Sequence, residues 1–444
     1  MSQYRAYPAY KDSSVEWIGQ VPEHWKIAQI KRISALNPKK STLSEEKDSL
    51  CTFLPMEKLR TNAVTLDEIR PIHEVYGGYS YFCDDDILIA KVTPCFENGN
   101  IAVANGLVNG IGFGSTEINV LRVNGKGHNR FLYYRLQEEQ FRTIAKSEMR
   151  GTGGLKRVPT VLFESFTIGL PDTDEQATIA ATLDRETVRI DALIEKKTRF
   201  IELLKEKRQA LITHAVTKGL DPNAKMKDSG VEWIGQVPEH WAIPALKFLL
   251  STPITDGPHE TPVPAEPQDG IVFISAEAVS SGRINFSKAW GYISRADHKR
   301  YSRKYKPQQG DIYMVKSGAT TGITAMVEDS REFNIWSPLA AIRANSETAP
   351  KFLLYALRST EFQAGVTLNW SYGTQQNIGM NVLENLPLPI PPYKEQATIV
   401  ATLDRETARI DALISKAEQS ITLLKERRAA FITAAVTGQI DLRG

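Results

Sequence analysis

Two stretches of sequence occur twice in this chain and decide its architecture. Val15 to Trp25 reads VEWIGQVPEHW, and Val231 to Trp241 repeats it letter for letter. Glu175 to Ile194 reads EQATIAATLDRETVRIDALI, and Glu395 to Ile414 matches it at all but two positions. The chain of 444 residues is therefore a tandem of two similar halves. Between the shared segments the halves have diverged, which indicates one scaffold that carries two different binding surfaces.

The bulk composition is that of an ordinary globular protein. Apolar residues make up 42% and charged residues 24%, and the formal net charge is +2. Any binding of nucleic acid must therefore come from local basic patches. The N-terminus lacks a basic leader followed by an apolar run, and no stretch reaches membrane-spanning length. The three cysteines lack Cys-x-x-Cys spacing, which argues against a disulfide or metal framework. We expect a cytoplasmic protein without a membrane segment.

Each of the two opening segments, Val15–Trp25 and Val231–Trp241, is followed by a module of short β-like runs and turn signals. We interpret the opening segment as a strand and turn with Trp17, Ile18 and Trp25 packed inward. In each module an apolar run predicts a strand, followed by a glycine-containing loop and a second strand. A helical segment and a polar glycine loop complete the pattern. The sequence predicts α/β (α+β) modules with mixed sheets.

The repeated segment after each module has the periodicity of a long helix. Its apolar residues recur at steps of three and four that sum to seven, which is typical of a coiled-coil seam. In the first copy the seam comprises Ile179, Leu183, Ile190, Ile194, Ile201, Leu204 and Leu211. Thr173 and Gln176 have capping-box spacing, and Gly219 and Gly438 stand where the helices should end. We expect the two helices to pair as an antiparallel, pseudo-twofold coiled coil. The alternative is two arms that recruit outside helices.

The motifs of DNA-modifying chemistry are incomplete in this sequence. Ile390-Pro391-Pro392-Tyr393 has isoleucine where an adenine methyltransferase would carry a base-binding Asn or Asp. Gly112–Gly114 is a lone Gly-x-Gly, and Gly151–Arg157 lacks the spacing of a phosphate loop. Asp84–Asp86 lacks the companion Glu-x-Lys strand of a metal-dependent nuclease and is typical of a turn. We predict a non-catalytic chain that holds no metal or cofactor of its own.

Local basic and amide-bearing segments are the candidate DNA contacts. In Lys288–Lys306 cations alternate with aromatic residues, and cations neutralise phosphates while aromatic or amide groups contact bases. A solvated surface helix or loop is an equal alternative for this segment. The glycine loop is basic in the first half and carries amides, which can pair with adenine, in the second. The candidate DNA-binding residues are Lys91, Arg150, Thr152, Lys156 and Arg157 in the first half, and Lys299, Arg300, Arg303, Lys304, Lys316, Thr320, Thr374, Gln375, Gln376 and Asn377 in the second.

With the two halves laid out, the chain resembles the specificity subunit (HsdS) of type I restriction–modification systems over nearly its whole length. The resemblance is carried by the order module, helix, module, helix and by the opening tryptophans Trp25 and Trp241. Its strongest string is PPYKEQATI, Pro391 to Ile399, a proline-rich lead into a Glu-Gln helix start. The first half departs from this pattern, with Pro171–Asp174 before its Glu-Gln pair and glycines in place of the loop Gly373–Gln376.

The resemblance implies target recognition domains at residues 1–170 and 222–390 and coiled-coil helices at residues 171–221 and 391–444. Each domain would read one half of a split duplex DNA site, with the coiled coil as the ruler between them. The implied partners are two methyltransferase subunits that use S-adenosylmethionine, and restriction subunits that use ATP and Mg²⁺. This chain would carry none of those cofactors. The alternative is a coiled-coil assembly scaffold without sequence-specific DNA binding.

Overall fold

The chain folds into two compact units, here described from a computed structural model. The structure describes residues 4–43, 45–152, 154–372 and 376–443. The first unit comprises Met1–Lys197 and Gln419–Gly444, and the second comprises Thr198–Glu418. Each unit holds one module together with a segment from each of the two long helices.

The first module contains two four-stranded sheets. Its strands are β1 (Tyr10–Asp12), β2 (Gln20–Pro22), β3 (Lys26–Gln29), β4 (Ser34–Leu36), β5 (Leu50–Leu54), β6 (Leu59–Arg60), β7 (Ala63–Val64), β8 (Ile69–Pro71), β9 (Ser80–Cys83), β10 (Ile87–Ala90), β11 (Ile101–Val103), β12 (Ile111–Gly114), β13 (Ile118–Val123), β14 (Arg150–Thr152), β15 (Leu155–Arg157) and β16 (Thr167–Leu170). Its helices are α1 (Ile72–Val75), α2 (Asn129–Arg135), α3 (Glu139–Ser147) and α4 (Thr160–Ser165), and the long helix α5 (Thr173–Lys218) follows. One sheet has the order β11-β10-β13-β4 and is antiparallel, whereas the other, β8-β5-β12-β9, pairs β5 and β12 in parallel.

The second module repeats this plan with fewer strands. Its strands are β17 (Met226–Asp228), β18 (Gln236–Pro238), β19 (Thr255–Asp256), β20 (Ile271–Ile274), β21 (Gly291–Ile293), β22 (Ile312–Val315), β23 (Thr324–Met326), β24 (Phe333–Ile335), β25 (Leu339–Ile342), β26 (Ser371–Tyr372) and β27 (Gln376–Asn377). Its helices are α6 (Ala276–Val279), α7 (Arg295–Tyr301), α8 (Pro350–Leu357), α9 (Thr360–Leu368) and α10 (Met380–Asn385), and the long helix α11 (Tyr393–Val436) follows. The sheet β23-β22-β25-β19 matches β11-β10-β13-β4, and the parallel pair β20–β24 matches β5–β12. The predicted mixed sheets are confirmed.

The central strands β10 and β22 explain why their sequences are continuously apolar. Side chains alternate between the two faces of a strand, so a strand covered on both faces needs apolar residues throughout. Ile87 packs in one buried cluster and Leu88 in another. Ile312 and Tyr313 divide in the same way in the second module. Both strands therefore lie between two packed layers.

The long helices pair within each unit. In the first unit Ile179 near the start of α5 shares a buried cluster with Phe431 near the end of α11. Asp191 of α5 also forms an ion pair with Arg428 of α11, with a separation of 2.9 Å. The two segments therefore run antiparallel, which confirms that prediction. At about 1.5 Å per residue, α5 with its 46 residues is roughly 70 Å long.

The second unit contains the complementary helix segments. Ile212 and Val216 near the end of α5 share a buried cluster with Ile399 near the start of α11. Arg208 and Asp411 form an ion pair at 3.3 Å. This pair has the same residue types as the pair in the first unit, exchanged between the helices. The helix pairing inside each unit thus follows the tandem repeat.

The helix ends agree with the predicted signals at one end only. Gly219 and Gly438 follow α5 and α11 with φ of +75° and +76°, the left-handed conformation that glycine adopts without strain. At the start of α5, however, Asp172 Oδ1 accepts the hydrogen bond from Glu175 N at 2.9 Å. Asp172 is therefore the capping side chain, and the predicted role of Thr173 is wrong. The aspartate one residue earlier was the better signal.

Candidate nucleic-acid interface

The repeated letters of the opening segment serve to hold each module on its long helix. Trp25 is fully buried, and its Nε1 donates a hydrogen bond to Glu175 Oε1 at 3.1 Å. His24 Nε2 lies 2.7 Å from the other oxygen of the same carboxylate. In the second unit Trp241 Nε1 and His240 Nε2 contact Glu395 at 3.2 and 2.8 Å. The identity of the repeated segments is thus explained by one shared anchor.

Trp17 departs from the prediction that it packs inward. Its side chain is 39% exposed, although its ring stacks on Phe166 with centroids 5.8 Å apart. Trp25 in the same segment is buried as predicted. A turn precedes β2 and places Trp17 at the margin of the module, because only part of so short a segment can face the core.

The glutamine after each anchoring glutamate ties the module to the helix a second time. Gln176 Oε1 accepts a hydrogen bond from His128 N at 2.8 Å, immediately before α2. Gln396 Oε1 accepts the equivalent bond from Ala349 N at 2.8 Å, immediately before α8. The Glu-Gln pair therefore fixes both the opening segment and the helix α2 or α8. These contacts hold the variable part of each module in a constant frame.

A buried aspartate positions the central strand of each module. Asp86 accepts two hydrogen bonds from Arg122, at 2.9 and 2.6 Å. Asp311 accepts two from Arg343, at 2.6 and 2.7 Å. Both carboxylates are almost fully buried, so each needs its guanidinium partner. Asp86 is accordingly structural, in agreement with its interpretation as part of a turn.

In both modules the central strand (β10 or β22) and the loop after it, here called the strand–loop unit, contact the glycine loop. Val158 N donates to Lys91 O at 2.8 Å, and Ile378 N donates to Lys316 O at 2.9 Å. In the first module the glycine loop is a hairpin of β14 and β15, and in the second β26 and β27 pair in the same way. Two segments that are separate in the sequence therefore form one surface, here called the hairpin surface. It consists of Lys91, β14 and β15 in the first module and of Lys316, β26 and β27 at the equivalent place in the second.

The hairpin surface of the first module brings four of the five candidate residues onto β14 and β15. Arg150, Thr152 and Lys156 are exposed. Thr93 Oγ1 accepts a hydrogen bond from Lys156 N at 2.9 Å and donates one to Gly154 O at 2.8 Å, which fixes the hairpin backbone. Lys91 lies beside the hairpin through its carbonyl group. The sequence-predicted cations are thus neighbours in the structure.

Arg157 of this surface already has a partner within the chain. Its Nε and Nη2 donate to the two oxygens of Glu117 at 2.9 and 2.7 Å. Hydrogen bonding to Arg157 lowers the pKa of Glu117, and the same bonds raise the pKa of Arg157. A phosphate contact by Arg157 would therefore compete with Glu117. No sequence pattern indicates this glutamate, which lies 40 positions earlier in the chain.

Two candidate lysines of the second module converge on a buried aspartate. Asp256 in β19 is 1% exposed, and Lys304 Nζ and Lys316 Nζ lie 2.5 and 3.1 Å from its two oxygens. Burial raises the pKa of Asp256, but the hydrogen bonds from Lys304 and Lys316 outweigh it and lower the pKa below the usual value. His259 also contacts this carboxylate at 3.0 Å. Sequence reasoning missed Asp256, which has no motif around it.

Further cations of the basic segment lie in α7 and directly after it. Lys299 and Arg303 are exposed, and neither forms an ion pair within the described part of the chain. Arg300 instead pairs with Asp297 and Glu260 at 2.7 and 2.6 Å. Lys299 of α7 and Arg303, two residues after it, are therefore available to a phosphate group.

Tyr301 and Tyr305 of the same segment are directed inward, whereas Trp290 is 38% exposed. Tyr301 is 9% exposed, and Tyr305 Oη donates to buried Asp311 at 2.5 Å. Trp290 packs edge-on against Phe273 with ring centroids 5.9 Å apart. Tyr301 and Tyr305 are thus part of the module interior, and the expectation that they contact bases is not supported. Within α7, Tyr301 lies on the buried side and Lys299 on the exposed side of the helix.

The amide-bearing loop of the second module is only partly described. Thr374 and Gln375 lie outside the described residues. Gln376 and Asn377 form β27, and Asn377 is exposed beside Ser317 of the strand–loop unit. Thr320 of that unit is partly exposed, and its carbonyl accepts a hydrogen bond from Ile323 N at 3.1 Å.

The described residues contain neither a metal-binding cluster nor a membrane-spanning helix. Over residues 4–43, 45–152, 154–372 and 376–443, no group of three or more His, Cys, Asp or Glu side chains could hold a metal ion. Among the helices in these same ranges, none is both long enough and apolar enough to cross a membrane.

Comparison with known proteins gives a consistent picture. Residues 266–423 match the family model of the type I restriction modification DNA specificity domain. The specificity subunit of the type I restriction enzyme EcoEI from Escherichia coli is 32% identical over 187 residues, which cover 42% of this chain and 32% of that protein. The chain thus spans about a third of this relative. The MjaVIII specificity subunit from Methanocaldococcus jannaschii is 24% identical over 436 residues, covering 96% of this chain and 95% of that protein.

A solved structure shares the fold. It comes from work on complex assembly and conformational transition of the type I R-M system. The match has a TM-score of 0.72 at 18% identity and covers 94% of this chain and 98% of that one. At this level of identity the likeness concerns the fold, which agrees with the two-module architecture.

Proposed function

Since the chain belongs to the family of type I restriction–modification specificity subunits, we propose that its two modules read the two halves of a split duplex DNA site. The observation that carries the proposal is the pair of hairpin surfaces. They lie at equivalent places in two modules that share one frame, yet their sequences differ. Lys156 and Arg157 occupy one surface, and Gln376 and Asn377 lie in the corresponding strand of the other. Two modules that recognise different DNA sequences require a shared frame with different residues at the contact surface.

The proposal divides the candidate residues by role. Exposed cations such as Arg150, Lys299 and Arg303 would contact phosphates, which position the protein without carrying sequence information. The amides of the second hairpin surface, with Gln375 beside them in the sequence, would contact base edges in the major groove. In the first module Lys156 is exposed on a hairpin, where it could reach guanine. Lys91, Thr152, Lys316 and Thr320 would support these contacts from the adjoining strands.

The proposal also assigns the segments of the chain. Residues 1–170 and 222–390 would be the target recognition domains, and residues 171–221 and 391–444 the helices between them. These helices retain apolar side chains on their surfaces, which would receive helices of two methyltransferase subunits. They include Val188, Phe200, Leu203, Leu413 and Leu423, all at least 39% exposed. Methyl transfer with S-adenosylmethionine, and ATP-dependent DNA cleavage by restriction subunits, would belong to those partners in the cytoplasm. This chain would contribute no catalytic group.

A binding selection tests the proposal. The full chain, alone and in complex with its methyltransferase subunits, is incubated with a library of randomised duplexes, and the bound DNA is sequenced. We expect two short enriched sequences separated by a spacer of fixed length and random sequence. Binding that shows no sequence preference in either form of the protein would contradict the proposal and favour a pure assembly scaffold. A single continuous motif would contradict the two-reader assignment.

A further inference from the structure

The second unit contains a cavity that the proposed reading of DNA does not use. Its volume is about 1030 Å³. The helices α5, α8 and α11 contribute to its wall, together with the loop 280–283 after α6 and the loop 321–324 after β22. It lies within a single unit, so its shape depends on the packing inside that unit.

The cavity carries an excess of positive charge. Five cationic and three acidic side chains line it, which leaves two net positive charges. Lys351 pairs with Asp404 at 2.7 Å, and Arg208 pairs with Asp411 at 3.3 Å. Arg358 and Arg283 have no carboxylate within ion-pair distance among the described residues. Among the described residues the unpaired cations of the lining are therefore Arg283, Arg358 and Lys205, against the one unpaired carboxylate of Glu328.

Arg358 joins the walls of the cavity. Its Nη2 donates to Gly282 O at 2.6 Å and to Thr324 O at 2.8 Å, and its carbonyl accepts from Gln209 Nε2 at 2.8 Å. Gly282 precedes Arg283, and Gln209 follows Arg208, so these bonds hold three arginines around one space. Burial, and then the positive charges of Arg208 and Arg283, lower the pKa of Arg358 to about 10. Its guanidinium is still charged at neutral pH and has only uncharged acceptors.

An anion would compensate this charge. Guanidinium groups present several N–H donors in a plane and suit the oxygens of phosphate. The hydroxyl groups of Ser280, Ser281 and Thr321 also line the cavity. Its volume is that of a typical small-molecule site, so it admits a phosphate ester as well as phosphate itself. We propose that this cavity binds a phosphate-bearing anion through Arg208, Arg283 and Arg358. The proposal does not depend on the proposed function.

The first unit provides a matched contrast. Arg428 corresponds to Arg208 in the repeat and makes the same kind of ion pair, with Asp191 at 2.9 Å. Gln137 stands where the second unit has Arg358, one residue after the last leucine of the corresponding helical segment. The cavity that Gln137 lines has a volume of about 10 Å³. Replacing Arg428 therefore removes the same charge without altering the three-arginine cavity.

The test is isothermal titration calorimetry of the full chain with inorganic tripolyphosphate at constant ionic strength. The wild-type chain should bind one tripolyphosphate per chain. Because Arg283 is exposed and outside any described ion pair, Arg283→Ala should fold normally and weaken binding about tenfold or more. Arg358→Gln should have the same effect, and Arg428→Ala should leave the affinity unchanged. Circular dichroism verifies that each variant is folded.

Three results would overturn the proposal. The first is that the wild-type chain does not bind tripolyphosphate. The second is that folded Arg283→Ala binds it with the affinity of the wild-type chain. The third is that Arg428→Ala loses as much affinity as Arg283→Ala, which would indicate general charge attraction.

A second arm identifies the source of the phosphate group. Binding of a labelled duplex of arbitrary sequence is measured by fluorescence anisotropy, with and without tripolyphosphate. If the site holds a DNA phosphate, tripolyphosphate should compete and Arg283→Ala should weaken duplex binding. If it holds a free phosphate ester, Arg283→Ala should weaken tripolyphosphate binding alone. Both results support the anion site and differ only in the origin of the anion.

Discussion

Replacing Glu175 tests whether the anchor between the opening segment and α5 holds the first module in place. Glu175 Oε1 accepts hydrogen bonds from Trp25 Nε1 at 3.1 Å and from Tyr7 Oη at 2.7 Å. Trp25 is fully buried and Tyr7 is 4% exposed. Burial and then the contact with Glu175 raise the pKa of Tyr7, so its hydroxyl group remains a donor at neutral pH. Glu175→Ala would leave both donors buried without a partner.

The expected loss in the free energy of unfolding follows from the number of buried donors that lose their acceptor. A buried donor that loses its partner costs about 1–3 kcal/mol, so Glu175→Ala should lower the free energy of unfolding of the first unit by about 2–6 kcal/mol. Glu395→Ala is the matched variant of the second unit, where Trp241 is the one buried donor to this carboxylate among the described residues. It should cost about 1–3 kcal/mol. Glu175→Gln keeps an acceptor at the Oε1 position and should cost less than Glu175→Ala.

Hydrogen exchange measured by mass spectrometry in increasing urea follows the two units separately. Peptides that contain Trp25 and Trp241 report on the first and second anchors. Glu175→Ala should increase exchange around Trp25 at lower urea and leave the peptide around Trp241 unchanged. If Glu175→Ala and Glu175→Gln were equally destabilising, or if Glu395→Ala were the more damaging change, the argument from buried donors would be refuted.

Three further predictions concern charges. A double-mutant cycle on Asp191→Ala and Arg428→Ala should give a coupling energy of about 0.2–1 kcal/mol in urea denaturation, and zero coupling would mean that this contact does not stabilise the helix pair. Arg303→Ala should weaken binding to all duplex sequences alike and reduce the slope of log affinity against log salt by about 0.9, whereas a sequence-selective loss would assign Arg303 to base reading. Because the pKa of Asp256 is lowered in the folded chain, its stabilising effect is present above the unfolded pKa of about 3.9 and is lost as the pH falls through the folded pKa. Asp256→Asn should therefore destabilise the second unit at neutral pH and flatten its acid unfolding curve, and an unchanged curve would contradict this.

The frame of the molecule could be predicted because local patterns determine it. Strand β10 and strand β22 are apolar throughout, and a strand with both faces covered shows this pattern. The seven-residue periodicity of the helices requires a partner, and the repeat supplies one. Arg122 and Arg343 could also have been found, since each directly follows a mostly apolar run at the same place in the two halves.

The partners of the candidate site residues could not be predicted in this way. Lys316 lies 60 positions from Asp256, and Arg157 lies 40 positions from Glu117. No local pattern records which carboxylate a surface cation meets, because that depends on how the strands are stacked. Tyr301 illustrates the same limit, since an aromatic residue between cations is compatible with a base contact and with a buried helix side. In the folded chain Tyr301 lies on the buried side of the helix.

Exchange of one module tests whether two separate modules read the two halves of the DNA site. Residues Ala242–Pro389 are replaced by the matching segment of a related specificity subunit, and the binding selection is repeated with the hybrid chain. We predict that one half of the selected DNA sequence changes to that of the donor protein while the other half is retained. A hybrid that folds and binds DNA but changes both halves, or neither, would contradict the claim that two separate modules read the DNA.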